Sequence, residues 1–134
     1  MSGVKVAGLV LAAGAGRRYG GPKAFDFLAQ AVAALRDGGC DTIFAVLGAA
    51  ADDVRAAVDL SGVEVVENPG WDEGMGSSLR TGLAAVAEAG GFAAVCVHLV
   101  DMPGVNGPAV ARVVALAAPG RLARATFAGV PGHP

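Results

Sequence analysis

Apolar residues in this chain gather in short continuous runs, and the stretches between them carry apolar positions at helical spacing. Residues 4–11 are mostly apolar, include three valines and lead into Ala-Ala-Gly-Ala-Gly, the profile of a strand buried on both faces that feeds a tight loop. Residues 25–36 place Phe25, Leu28, Val32 and Leu35 at helical spacing before Gly38 and Gly39 stop the helix. A second strand is predicted over 42–47, a short helix over 52–58 and a third strand over 63–67. Asn68-Pro69-Gly70 marks a turn, after which a helix is predicted over 79–89, with Ser77 or Ser78 as its N-cap and Gly90-Gly91 as its stop. Residues 93–100 read as a fourth buried strand, 108–118 as a helix that Pro108 can open, and 124–127 as a fifth strand.

Strands alternating with helices in this way predict right-handed crossovers and a Rossmann-like three-layer α/β/α sandwich with a mostly parallel sheet. Such sheets bind ligands outside the carboxyl ends of their strands. Three segments are expected to converge there: 14–23, 74–78 and Asp101.

Composition narrows the function classes. The chain has 134 residues, 54% of them hydrophobic and 16% charged, which fits one domain with a substantial core and excludes a disordered segment. A net charge of −2 with ten dispersed basic residues leaves no footprint for nucleic acid or an anionic membrane, so an anionic ligand needs a local site. No apolar run approaches the roughly 20 residues needed to span a bilayer. The apolar start, with Lys5 its one charge, reads as a strand rather than a secretory signal. Cys40 and Cys96 lie far apart in sequence and match neither a metal cluster nor a disulfide framework; they read as reduced thiols without a chemical role, in a cytoplasmic protein. His98, inside the fourth strand, reads as a core histidine.

The segment after the first strand carries the chemistry. Leu11-Ala12-Ala13-Gly14-Ala15-Gly16-Arg17-Arg18-Tyr19-Gly20-Gly21-Pro22-Lys23 combines four glycines with two arginines and a lysine. Glycines let backbone N–H groups turn toward an anion, and Arg18 and Lys23 add mobile positive charge, a combination suited to a triphosphate. The spacing is not that of a dinucleotide fingerprint, because the third glycine position of G-x-G-x-x-G is Tyr19. Nor is it a P-loop, because Pro22 precedes Lys23 and Ala24 stands where the magnesium-binding hydroxyl is needed. A glycine-rich turn with solvated cations is the plainer alternative.

Leu11-Ala12-Ala13-Gly14-x-Gly16-x-Arg18-x-Gly20-x-Pro22-Lys23 closely resembles the signature loop of the nucleotidyltransferases that include molybdenum cofactor cytidylyltransferase and the related guanylyltransferase. Asn68 through Leu83, with the paired serines Ser77 and Ser78, and Leu99-Val100-Asp101-Met102-Pro103 extend the resemblance in order and spacing. It implies that Leu11, Ala12, Ala13, Gly14 and Gly16 surround the nucleotide, with Arg18 on the leaving pyrophosphate and Lys23 on the α-phosphate. Gly76, Ser77 and Ser78 would lie against the nucleotide, and Asp101 would bind Mg²⁺; the alternatives are helix caps for the serines and a cap or turn aspartate before Pro103. The implied reaction transfers CMP, or next GMP, from a nucleoside triphosphate to a phosphorylated acceptor such as molybdopterin.

The pattern is not followed throughout. Tyr19 replaces the family's usual methionine, several residues between Lys23 and the first helix are missing, and Gly129-Val130-Pro131-Gly132-His133-Pro134 resembles a stretch that the family continues with further strand and helix. The expectation is therefore one nucleotidyltransferase domain over 1–134 without the family's C-terminal part and its second metal-binding aspartate. A non-catalytic nucleotide-binding module of the same fold is the alternative. A nicotinamide-dependent oxidoreductase is disfavoured by the glycine spacing and by Gly48, which follows the second strand where an acidic ribose ligand is expected.

Overall fold

Strand β1 (Val6–Ala12) is buried along its whole length because parallel strands flank both its edges and helices cover both its faces. A computed structural model describes residues 5–14, 24–100, 107–114, 126–127 and 130–131. Its main sheet has the order β3-β2-β1-β4, with β2 (Thr42–Leu47), β3 (Val63–Glu67) and β4 (Ala94–Leu99) all parallel to their neighbours. Gly8 lies level with Ile43 on one side and Cys96 on the other.

Alternation along the strands sorts the core into two halves. On one face Val6, Val10 and Ala12 of β1, with Ile43, Ala45 and Leu47 of β2, meet Leu28 and Leu35 of α1 (Ala24–Asp37), Val54 of α2 (Ala51–Ala57) and Val110 of α4 (Gly107–Val114). On the other, Ala7, Leu9, Leu11, Phe44 and Val46 meet Val86 of α3 (Met75–Ala89). The helices after β1 and β2 share one face, while α3, which carries the chain back across β1 to β4, covers the opposite face. That is what crossovers of a single hand require when the direction of travel reverses. Full burial of each large aliphatic side chain contributes about 1.5–3 kcal/mol, and Leu9, Leu28, Leu35 and Leu47 are all fully buried. Close helix approach depends on Gly82, where an added Cβ would stand 2.6 Å from Leu9 Cδ1.

The sheet is the predicted α/β arrangement, and β2 and β3 have the predicted bounds. Two expectations need correction. Helix α3 starts at Met75 rather than at residue 79, so Ser77 and Ser78 sit inside its first turn and are not its N-cap. Gly74 caps it instead, at φ 113° and ψ 177°, a conformation open essentially to glycine, and makes no side-chain capping bond. The last strand predicted, β5 (Thr126–Phe127), does not join the main sheet among the described residues; it pairs antiparallel with β6 (Val130–Pro131). Residues 115–118, expected to extend α4, lie outside the described residues.

Both cysteines are free thiols, as expected, but they lie together in the fold. Cys40 follows the turn after α1, and Cys96 lies on β4 level with Gly8. Both pack in the core half beneath α1, and their thiols share a hydrogen bond. That bond, with burial second, pushes the Cys40 thiol far above its ordinary range, and the same bond lowers that of Cys96. His98 is buried, as expected of a core histidine. No helix among the described residues is long and apolar enough to cross a membrane.

Two measurements check this packing. Ala50, which precedes α2, is held in the left-handed region at φ 53° and ψ 36°. Relief of that strain outweighs the flexibility glycine adds to the unfolded chain, so Ala50→Gly is expected to raise stability by about 0.5–1 kcal/mol. An unchanged or lower urea midpoint would contradict this. In the native protein at mildly alkaline pH, iodoacetamide should modify Cys96 before Cys40, read by peptide mass mapping; preferential labelling of Cys40 would show that the thiol contact has the opposite polarity.

Candidate functional site

Strand order places a topological switch point between β1 and β4: the chain moves outward from β1 through β2 to β3, then returns to the far side of β1. In parallel sheets the crevice at such a point, outside the carboxyl ends, is where ligands bind. The backbone here is tied across both flanks of β1. Val100 N–H donates to the Leu11 carbonyl at 3.2 Å, and Ala49 N–H donates to the Ala13 carbonyl at 2.9 Å. The two strand ends that feed the glycine-rich loop and Asp101 are therefore side by side.

Leu11, Ala12 and Ala13 are buried in this floor, whereas Gly14 is exposed and a Cβ built on it would meet nothing within 4 Å. Gly16, Arg18, Lys23 and Asp101 lie outside the described residues.

A wall rises from the end of β3. Asn68 N–H donates to the Leu47 carbonyl at 2.8 Å, continuing the sheet by one residue, and the chain then makes a single 3₁₀ turn, Trp71–Glu73. Trp71 packs against the core half that includes Leu11 and Ala13. Its fit depends on Gly48: a Cβ there would stand 2.4 Å from Trp71 Cβ and 2.9 Å from Ala13 Cβ. Gly48, singled out by the sequence only for the carboxylate it lacks, thus lets β1, β2 and the Trp71 turn meet.

Asn68 also links the wall to α3. It is only 4% exposed, its Nδ2 donates to Ser77 Oγ at 3.1 Å and to Ser78 Oγ at 3.0 Å, and its Oδ1 accepts from Gly70 N–H at 3.0 Å. Thr81 Oγ1 donates to the Ser77 carbonyl at 2.9 Å. Gly76, Ser77 and Ser78 thus lie in the first turn of α3, where Ser77 N–H donates to the Gly74 carbonyl at 3.2 Å and the helix dipole favours an anion. No acidic residue within that turn offsets the field. Arg80 adds positive charge, with Nη1 3.4 Å from the place a Gly76 Cβ would occupy.

Leu11 to Gly14 and Gly76 to Ser78, separate in sequence, thus border one edge of the sheet and are joined through Trp71 and Asn68. Sequence reasoning missed Asn68 and Arg80. Asn-Pro-Gly reads as an ordinary turn, and only the burial of the amide reveals its second task. Arg80, four residues after Gly76 on a helix, was the more readable signal, since that spacing puts both on one face. Among the described residues no group of three or more His, Cys, Asp and Glu side chains is placed to hold a metal ion.

Known proteins share this arrangement. Nicotine blue oxidoreductase from Paenarthrobacter nicotinovorans is 36% identical over 143 aligned positions, which take in 96% of this chain and 69% of that protein. A homologue of Mycobacterium tuberculosis Rv0371c from Mycobacterium sp. strain JC1 superposes with a TM-score of 0.76 at 34% identity, over 96% of this chain and 67% of that one. Rv0371c itself, from M. tuberculosis H37Rv in complex with manganese, gives a TM-score of 0.66 at 31% identity, over 84% of this chain and 59% of that one. The chain thus spans some three fifths to two thirds of the length of these relatives. With residues 8–134 matching the family model as well, the chain belongs to the MobA-like NTP transferase domain family.

Proposed function

We propose that this domain transfers a nucleoside monophosphate, CMP by preference and GMP next, from a nucleoside triphosphate to a phosphorylated acceptor such as molybdopterin, in the cytoplasm. The observation that carries the reading is the switch point, where the ends of β1 and β4 are hydrogen-bonded together and the first turn of α3 stands at the same edge.

In this reaction an oxygen of the acceptor phosphate attacks the α-phosphorus, the bond from that phosphorus to the bridging oxygen breaks, and pyrophosphate leaves. Negative charge meeting negative charge dominates the barrier, so fixed cations and N–H donors are what lower it. Leu11, Ala12, Ala13, Gly14 and Gly16 bind the nucleotide through their backbone in this reading. Lys23 stabilises charge on the α-phosphate, Arg18 holds the departing pyrophosphate, and Gly76, Ser77 and Ser78 border the nucleotide from α3.

The described residues build no closed metal cage, and the reaction does not need one. Mg²⁺ commonly keeps its waters and is held by one or two carboxylates together with the substrate's phosphates. Asp101, next in the chain after Val100, is the carboxylate assigned to it. When bound, the ion would offset charge on the triphosphate. The manganese in Rv0371c supports a divalent ion at this fold.

A second reading has its own observation. The relative 36% identical to this chain is named as an oxidoreductase, and a redox reaction would use the same edge for a different nucleotide. A non-catalytic nucleotide-binding module is the third. Thermal shift of the full chain with CTP, GTP, ATP and UTP plus Mg²⁺, set against NADH and NADPH, separates the classes. A nucleotide present at 100 times its Kd stabilises by about 2.7 kcal/mol, and CTP with Mg²⁺ is expected to give the largest shift. Pyrophosphate release that requires the acceptor should follow. Lys23→Ala should lower that turnover about 100-fold and change stability by no more than about 0.5 kcal/mol. Stabilisation by NADH or NADPH alone would overturn the transferase reading; CTP binding without pyrophosphate release would favour the non-catalytic module.

A further inference from the structure

We infer that Asn68 is a positioning residue that sets the hydroxyl protons of Ser77 and Ser78 as donors toward an acceptor-only group of the nucleotide; this rests on the nucleotide site proposed above. The chain of reasoning starts from a backbone group whose role cannot reverse. Gly70 N–H is a donor, so the Asn68 oxygen that faces it is the carbonyl, and the amide NH₂ must face the serines. The two Nδ2 hydrogens are then committed, one to each hydroxyl oxygen, at 3.1 and 3.0 Å.

A serine hydroxyl has one proton and two lone pairs. Once its oxygen accepts from Asn68, its proton has to find an acceptor elsewhere. Among the described residues neither Ser77 nor Ser78 donates its hydroxyl proton to a protein acceptor. Ser78 is only 4% exposed, so water compensates poorly and an unmet donor there is costly. The helix could have satisfied these protons by back-bonding to carbonyls one turn earlier, as serines inside helices often do. Among the described residues, Asn68 and its Gly70 anchor instead leave the two hydroxyls as adjacent donors of fixed polarity at the start of α3.

Such a surface suits a group that offers acceptors only. Within a nucleoside triphosphate that chemistry is offered by the phosphate oxygens and by acceptor-only base edges such as cytosine O2 and N3. It discriminates against edges that present N–H groups.

Asn68→Asp tests this with nearly the same shape. Aspartate keeps an oxygen for Gly70 N–H but offers a second acceptor where the NH₂ was, so both serine protons turn inward. Affinity for CTP with Mg²⁺, measured by calorimetry on the full chain, should fall about tenfold, and should recover in part when the pH is lowered until the aspartate is protonated. The same substitution made in a Ser77→Ala/Ser78→Ala background should cost less than about twofold, because the hydroxyls it acts through are gone. Cytidine and inorganic triphosphate, titrated separately, identify the source: the one whose affinity drops in Asn68→Asp is the group the serines face. If Asn68→Asp fails to fold, the serine double variant alone must show the tenfold loss, or the inference is wrong. An undiminished penalty in the serine-free background, or full affinity in Asn68→Asp, overturns the positioning role while leaving the nucleotide site intact. Failure of the unaltered chain to bind any nucleotide overturns both.

Discussion

Hydrogen bonding on both edges of β1 governs the geometry of everything above it. A central strand with parallel neighbours on each side cannot shift register without breaking two ladders at once and turning its side chains to the wrong faces. Its carboxyl end therefore emerges at one level with those of β2 and β4, and the bonds from Val100 to Leu11 and from Ala49 to Ala13 carry the alignment one step past the strands. The loop after β1 starts from a fixed platform. Any chemistry this domain performs by bringing that loop toward the end of β4 depends on the platform more than on any single side chain.

The platform is coupled to the core by residues chosen for their size. Gly48 admits Trp71 against Ala13, and Gly82 admits α3 against Leu9. Overpacking a well-filled interior by one methyl group costs about 1–3 kcal/mol, a large part of the 5–15 kcal/mol typical of a whole domain. These glycines thus fix where Trp71, Asn68 and the first turn of α3 stand relative to β1. Polar contacts finish the work, with the Asn68 amide fully used by Gly70, Ser77 and Ser78.

How legible this was depended on range. Apolar runs and glycine stops located all four strands of the main sheet, and β2 and β3 to the residue, because burial on both faces leaves a continuous apolar signature. The start of α3 was misread because serine is a common cap, whereas the real cap is a conformation of Gly74 that no side chain announces. The Cys40–Cys96 contact was illegible because it depends on strand order and register, which pattern alone does not fix. Asn68 was hidden for the same reason: a turn asparagine and a buried network asparagine look alike until the partners are placed. The residues that bound Leu11 to Gly14 and Gly76 to Ser78 into one edge came from the structure, while Gly16, Arg18, Lys23 and Asp101 rest on motif and chemistry.

The most direct test of the account uses manganese as a paramagnetic probe. In the ¹⁵N-labelled full chain, Mn²⁺ added with CTP broadens amide signals near the ion, and the two ends of a six-residue strand are about 20 Å apart. Amides of residues 11–14, 76–78 and 99–100 should broaden in the presence of both Mn²⁺ and CTP, while those of 38–41, 60–62 and 90–93 at the amino edge keep their intensity. Broadening centred on the amino edge, or an unchanged spectrum at saturating Mn²⁺ and CTP, would contradict a nucleotide site at the carboxyl ends of β1 and β4.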